Sequence, residues 1–363
     1  MQINYKNPEL MIAGAVESKE IAWQSPSNIA IVKYWGKHGR QLPRNPSISL
    51  TLNAAHTKTE ISYSEKQATD QPIDLEFYFE GQQNPAFASK VERFFSSILD
   101  IFPFLGQLKM VIHSSNSFPH SAGIASSASA MSALSLCLCS IEQELFGTLQ
   151  EQAAFLSKAS YVSRLGSGSA CRSVYPVAAA WGHSAHLADS SDLFAVACEQ
   201  HIHPIFKTFH DDILLINKEE KSVSSTAGHG LMEDNVYSAA RYQQANDRFG
   251  ALLQAMKTGD LEQFGTIAEQ EALTLHALMM TSNPAYLLMT ANSLKAIRLV
   301  QQYRKESGNP LYFTLDAGPN LHLLYPDTVA GEVSTFVKEV LQPLCQDGDV
   351  LSDVVGEGAV RYL

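Results

Sequence analysis

The sequence predicts an α+β fold on three observations. Residues 21–63 alternate apolar and polar positions and are rich in β-branched side chains, as sheet strands are. Later stretches carry helical patterns, either amphipathic or built of small apolar residues. Strands and helices are mixed in each half, an order that suits α+β better than a doubly wound sheet. Within residues 21–63, Ile48, Leu50, Leu52, Thr57, Thr59 and Ile61 mark the strands, and the turn-prone Gly39-Arg40-Gln41-Leu42-Pro43 interrupts them. Residues 87–102 predict an amphipathic helix and 109–115 a strand. Residues 126–146 are small and apolar, which predicts a largely buried helix; 152–163 predict another, and 174–181 a strand. The chain turns polar at 189–203, so a boundary is expected between domains 1–200 and 201–363. In the second half, 212–216 predict a short strand and 235–254, 261–279 and 284–308 predict helices. Strands at 312–315 and 322–325 flank Asp316-Ala317-Gly318-Pro319-Asn320, and 353–363 predict a strand pair around Gly356-Glu357-Gly358.

Composition excludes several functions. The formal net charge of −11 makes the chain a poor non-specific nucleic-acid binder, so an anionic ligand would need positive charge gathered locally. Cys137, Cys139, Cys171, Cys198 and Cys345 are odd in number and form no CxxC pair, which predicts a reducing compartment without a disulfide framework or a zinc site. Residues 1–19 carry scattered charges and no apolar core, unlike a signal peptide. No run approaches the roughly 20 apolar residues of a membrane helix. A cytoplasmic location without membrane partner is the expectation.

Chemistry concentrates in a few segments. Residues 119–128, Pro-His-Ser-Ala-Gly-Ile-Ala-Ser-Ser-Ala, place a small-residue loop before a helix. Such a loop lets backbone N–H groups approach an anion, and the helix start adds unpaired donors and a positive dipole end. Ser121, Gly123, Ala125, Ser126 and Ser127 are the candidate phosphate contacts, with the Ser126 and Ser127 hydroxyls available to a magnesium shell. No GK[ST] follows the glycine, so this is not a Walker loop. On this segment alone, an anion site and a packing turn stand level. Residues 25–49 gather Asn28, Lys33, Tyr34, Lys37, His38, Arg40 and Arg44 on an acidic chain, a pattern able to hold a small polyanion. The interleaved Ile29, Ile31, Val32 and Trp35 argue against a purely solvated face. Asp316 in its turn, and Arg172 after Gly166-Ser167-Gly168-Ser169-Ala170-Cys171, would each pass singly for ordinary surface residues.

Together these segments resemble the mevalonate diphosphate decarboxylases, a family of the GHMP-kinase superfamily. The likeness runs from about residue 25 to the chain's end. It is carried by Ser25-Pro26-Ser27-Asn28-Ile29-Ala30, Lys33-Tyr34-Trp35-Gly36-Lys37, Asn45-Pro46-Ser47-Ile48-Ser49 and Gly123-Ile124-Ala125-Ser126-Ser127, then by residues 164–172, Val223-Ser224-Ser225-Thr226 and residues 316–320. The resemblance implies an N-terminal domain like the second domain of ribosomal protein S5 and a ferredoxin-like C-terminal α/β sandwich, with ATP, Mg2+ and mevalonate 5-diphosphate in the cleft between them. It gives Asp316 the deprotonation of the substrate 3-hydroxyl, Lys33 the charge beside it and Arg172 the substrate carboxylate. Tyr34 and Lys37 would hold the diphosphate, Ser167 and Ser169 would line the cleft, and Asn28 would lie near the substrate. A nearby cation favours the ionised carboxylate, so Lys33 would suit Asp316 as a base. Lys90 is the candidate second basic residue for the diphosphate, and a homodimer is the expected assembly.

The sequence departs from the family pattern at Ser173-Val174-Tyr175, where a glycine pair is usual, at His229 in place of a methionine, and at His120-Ser121 in place of Thr-Ala. A phosphomevalonate decarboxylase, a mevalonate 3-kinase or a non-catalytic binding protein of the same fold are the competing readings. The joint presence of Lys33, Arg172 and Asp316 argues against the kinase, and the intact phosphate loop and Asp316 argue against the binding protein.

Overall fold

The structure, a computed structural model, describes residues 5–67, 71–119, 124–219 and 225–363. Its first half is built on the long strands β1 (Lys19–Val32) and β4 (Ser47–Glu65), which run antiparallel. Between them the chain makes a small hairpin of β2 (Lys37–His38) and β3 (Leu42–Pro43). β5 (Asp74–Phe79), β6 (Gln82–Gln83), β7 (Leu108–Asn116), β8 (Ala178–Trp181) and β9 (Val196–Ala197) complete this sheet, except for one strand added from the C-terminus. The alternation read at residues 57–61 is real: Thr57, Thr59, Ile61 and Tyr63 face the core while their neighbours are less buried. The upper halves of β1 and β4 are buried on both faces.

α1 (Pro85–Ser97) starts where the Asn84 side chain accepts from the N–H of Phe87. α2 (Ser126–Phe146) and α3 (Gln152–Gly166) cover one face of the sheet. Small residues let α2 lie close against the strands, and its buried hydroxyls are satisfied across that contact: Ser25 donates to Ser132 at 2.7 Å, and Thr57 and Ser129 are 2.7 Å apart. The strand expected at 174–181 begins only at Ala178, because residues 173–177 form turns and bends through Pro176 and a left-handed Val177 (φ 59°).

The second half holds a four-stranded antiparallel sheet in the order β11-β12-β10-β13, from β10 (Phe209–Leu214), β11 (Tyr312–Thr314), β12 (Leu321–Pro326) and β13 (Val350–Val354). After the short α4 (Ser225–Gly230), α5 (Ser238–Thr258), α6 (Leu261–Met280) and α7 (Ala291–Ser307) pack around it, followed by α8 (Ala330–Phe336). α6 approaches β11 closely because residue 265 is glycine: a Cβ there would sit 1.9 Å from the Tyr312 ring. The expected strand pair at 353–363 does not form. β13 joins the second sheet, while β14 (Val360–Arg361) crosses back and pairs with β1. One apolar core spans both halves, bringing Ile29, Leu50 and Ala180 together with Phe206, Phe249 and Phe264. Among the described residues no helix is long and apolar enough to cross a membrane, and all five cysteines are buried and unpaired.

Candidate active site

A cleft of about 460 Å³ lies where the two sheets meet. The end of β1 supplies Lys33, and the chain beyond it Tyr34, Trp35 and Lys37. A register irregularity between Ala30 and Val32 precedes Lys33, the kind of bulge that re-aims a strand beside a site. The start of α2 brings Ala125 and Ser127, the end of α3 and its 3₁₀ turn bring Gly166–Ser169 and Arg172, and the β11–β12 turn brings Asp316.

The Lys33 ammonium donates to Asp316 Oδ1 at 2.9 Å, across 283 residues of sequence. Both line the cleft, but Lys33 is buried and the Asp316 side chain is 28% exposed, so the carboxylate is the more open member of the pair. The Arg172 guanidinium, 2% exposed, donates to Ser49 Oγ at 3.0 Å, Ser47 Oγ at 2.6 Å and Asn28 Oδ1 at 3.4 Å. Burial pushes its pKa below the ordinary arginine value. Asn28, expected near the substrate, is not among the residues that line the cleft: it is buried, props Arg172 and donates to Ser173 Oγ at 2.8 Å. Ser127 and Ser167 face one another at 3.2 Å, and Ser169 lines the wall beside them.

Tyr34 stands against the Trp181 ring at 4.6 Å and the His229 ring at 4.2 Å. Gly168 makes this stacking fit, since a Cβ there would fall 2.9 Å from the Tyr34 ring. Burial pushes the Tyr34 phenol up, so it stays protonated and can donate. Lys37 donates to Gln41 Oε1 at 2.9 Å, and Lys90 lines the cleft with its ammonium 5.2 Å from the Phe87 ring centroid.

Of the phosphate-loop candidates, Ala125 and Ser127 border the cleft, while Ser126 is not among its lining residues and accepts through its carbonyl from Ser129. Ser121 and Gly123 lie outside the described residues, as do His120, Val223 and Ser224. Ala125 adopts a left-handed conformation (φ 48°) and no side chain caps α2, so the helix opens onto the cleft with its first N–H groups. Among the described residues no group of three His, Cys, Asp or Glu side chains could hold a metal.

Sequence reading missed Gln41, Trp35, Ser47 and Ser49. Trp35, Ser47 and Ser49 had a signal, because they sit inside motifs singled out as strings but were given no role. Gln41 had none beyond its place in a turn.

Buried cations, a helix N-terminus and one carboxylate surround a cleft between two α+β halves, an arrangement that suits an enzyme acting on a small anionic molecule and agrees with the GHMP-kinase fold that the resemblance implies. Two family models match the chain: the diphosphomevalonate decarboxylase-like N-terminal domain over residues 25–193 and the mevalonate 5-diphosphate decarboxylase C-terminal domain over residues 212–356. The chain is 31% identical to the diphosphomevalonate decarboxylase of Candida albicans over 86% of each chain, and 27% identical to that of Bos taurus over 88% of this chain and 80% of the other. Among solved structures it is similar to MDDEF in complex with MVAPP, AMPPCP and magnesium (26% identity, TM-score 0.79). It is also similar to the mevalonate pyrophosphate decarboxylase of Streptococcus pyogenes (28% identity, TM-score 0.77). Each covers 95% of this chain and 99% of the other. The chain belongs to the diphosphomevalonate decarboxylase family.

Proposed function

We propose that this chain decarboxylates mevalonate 5-diphosphate to isopentenyl diphosphate, consuming ATP and releasing ADP, phosphate and carbon dioxide. The observation that carries the reading is the convergence of Lys33, Asp316 and Arg172 on one cleft from distant parts of the sequence. Relatives carrying the decarboxylase name, one of them bound to MVAPP, AMPPCP and magnesium, support it.

The chemistry follows from the residue types. A tertiary hydroxyl is a poor leaving group until it is phosphorylated. Asp316 takes the 3-hydroxyl proton as that oxygen attacks the γ-phosphorus of ATP and the bond to ADP breaks. Lys33 holds the carboxylate in place and balances its charge. Phosphate then departs from carbon 3 with the electron pair of the C–O bond. The pair of the bond to the carboxyl carbon closes the new double bond, and carbon dioxide is released. Arg172 fixes the carboxylate so that this bond lies in line with the departing phosphate. Tyr34, Lys37 and Lys90 take the diphosphate, and Ser167 and Ser169 the body of the substrate. The start of α2 receives the ATP phosphates. Magnesium, bound with those phosphates, supplies charge neutralisation, and the Ser127 hydroxyl is the side-chain oxygen placed to join its shell.

Residues 1–200 and 201–363 serve as the two domains, with β14 as the exception that ties the second back to the first. ATP use and five buried thiols suit the cytoplasm, and the family resemblance carries the expectation of a homodimer. The test is to measure ADP and carbon dioxide side by side with mevalonate 5-phosphate and 5-diphosphate. One carbon dioxide per ADP with the diphosphate is expected. ADP without carbon dioxide would make the chain a kinase, and turnover of the monophosphate alone would move the substrate one phosphate shorter.

A further inference from the structure

The Lys33–Asp316 contact joins two side-chain tips, and the backbones behind them are held by one helix. The N–H of Lys33 donates to Glu271 Oε2 at 2.8 Å, and its carbonyl accepts from Arg241 Nη2 at 3.1 Å and Asn45 Nδ2 at 3.0 Å. Glu271 is fully buried and grips Arg241 through two bonds of 2.6 Å, with Arg248 adding a third at 2.9 Å. Five residues further along α6, about 7.5 Å of helix axis, His276 Nε2 lies 3.1 Å from the carbonyl oxygen of Asp316. A carbonyl only accepts, so that nitrogen carries the proton. Between the two, Leu275 lines the cleft, whereas Glu271 and His276 are not among its lining residues. Both are buried, and neither touches the space a substrate would fill.

We propose that α6 is the positioning element of the reaction, Glu271 fixing the backbone of Lys33 and His276 that of Asp316. The proposal rests on the chemical roles assigned above to those two residues. One rigid helix thereby sets the separation of base and cation, although they arrive on different sheets. It also explains why a helix so largely buried carries ionic and imidazole side chains on its inner side: they bind backbone, a contact that apolar packing cannot supply. Small displacements at such a pair are costly, because reacting groups misplaced by about 1 Å lose about 100-fold in rate. A positioning residue that touches no ligand acts on kcat and leaves substrate binding alone.

The experiment uses the full chain with His276→Leu, His276→Asn and His276→Gln. Glutamine places an amide nitrogen where Nε2 stands, asparagine stops short of the Asp316 carbonyl, and leucine removes the donor. The leucine variant is expected to lose about 10- to 100-fold in kcat with KM for ATP and mevalonate 5-diphosphate nearly unchanged, and glutamine to restore most of it. Equal kcat in leucine and wild type, or equal losses in leucine and glutamine, would overturn the proposal. If the leucine variant does not fold, asparagine is compared with glutamine: a lower kcat for asparagine supports the proposal and equality overturns it. A wild-type chain that releases neither ADP nor carbon dioxide overturns the proposed function and this inference together. Wild-type turnover with an unimpaired leucine variant overturns this inference alone.

Discussion

Two buried arginines stand near the same cleft and are held in opposite ways. Arg241 is locked to a carboxylate, Glu271, by paired bonds, and Arg248 shares that partner. Among the described residues, every hydrogen-bond partner of the Arg172 guanidinium is neutral: two serine hydroxyls and an asparagine amide oxygen. A buried charge without a salt-bridge partner is costly, and burial pushes the Arg172 pKa down although the charge of Asp316 acts the other way. The neutralised arginine builds the frame. The other keeps its charge available, and an incoming carboxylate recovers part of the desolvation penalty. Burial and residue type alone do not separate the two; their partners do. Lys33 stands between these cases, since its partner Asp316 is an acid that must also reach the ligand.

The comparison can be attacked at each member. Asp316→Asn keeps the shape and removes the charge. It is expected to lower kcat by about 10⁴-fold, the upper end of a general base's contribution, while calorimetry finds ATP-analogue binding little changed. Turnover near the wild-type rate would remove Asp316 as the base. Glu271→Ala strands the buried Arg241 and takes a partner from the half-buried Arg248, and is expected to cost about 3–5 kcal/mol of stability by urea unfolding. A loss under about 1 kcal/mol would mean that the pair is no structural clamp. Arg172→Ala should do the reverse. It is expected to lower kcat/KM for mevalonate 5-diphosphate by about 10²–10³-fold, in line with about 2–5 kcal/mol for a buried hydrogen-bonded charge. Its stability cost should be only about 1–3 kcal/mol, because the groups left behind are neutral. An effect confined to ATP would contradict its assignment.

What the sequence revealed divides along the same line. α2 was legible to both ends, because its run of small apolar residues closes with Gly147 in the left-handed conformation. Lys33, Tyr34, Lys37, Ser167, Ser169, Arg172 and Asp316 were legible because each sits in a short, unusual string, and all of them reach the cleft. Support for those residues was not legible. Ser47 and Ser49 meet Arg172 across 125 and 123 residues. Glu271 and His276 sit on a helix whose pattern offers no reason to face them inward. Asn28 was expected near the substrate because its string belongs to the site, yet its side chain is taken up by Arg172 and Ser173. β14 was paired with its neighbour in sequence, although its edge lies on a strand more than three hundred residues earlier. Local strings report which groups do chemistry; the groups that aim them are joined only through space.

His229 is a further basic residue at this cleft, and here neither a carboxylate nor a ligand is needed, because the ring stays neutral. It packs between Tyr34 at 4.2 Å and Trp35 at 4.8 Å, and its Nδ1 accepts from the N–H of Gly36 at 3.0 Å. A proton on Nδ1 would set two donors against each other. Burial, helped by the charge of Lys37, lowers its pKa to about 3. In the unfolded chain the ring takes up its proton near about pH 6.5. The folded state therefore holds this contribution in full above that value and loses it as pH falls toward 3. At about pH 5 the loss is about 2 kcal/mol. His229→Met removes the titration without adding charge. Unfolding in urea at about pH 7 and about pH 5 should show wild type losing about 2 kcal/mol more than the variant between the two. Equal losses in both proteins would mean that the ring takes up its proton inside the fold, adding a fifth positive side chain to Lys33, Lys37, Lys90 and Arg172 around the cleft.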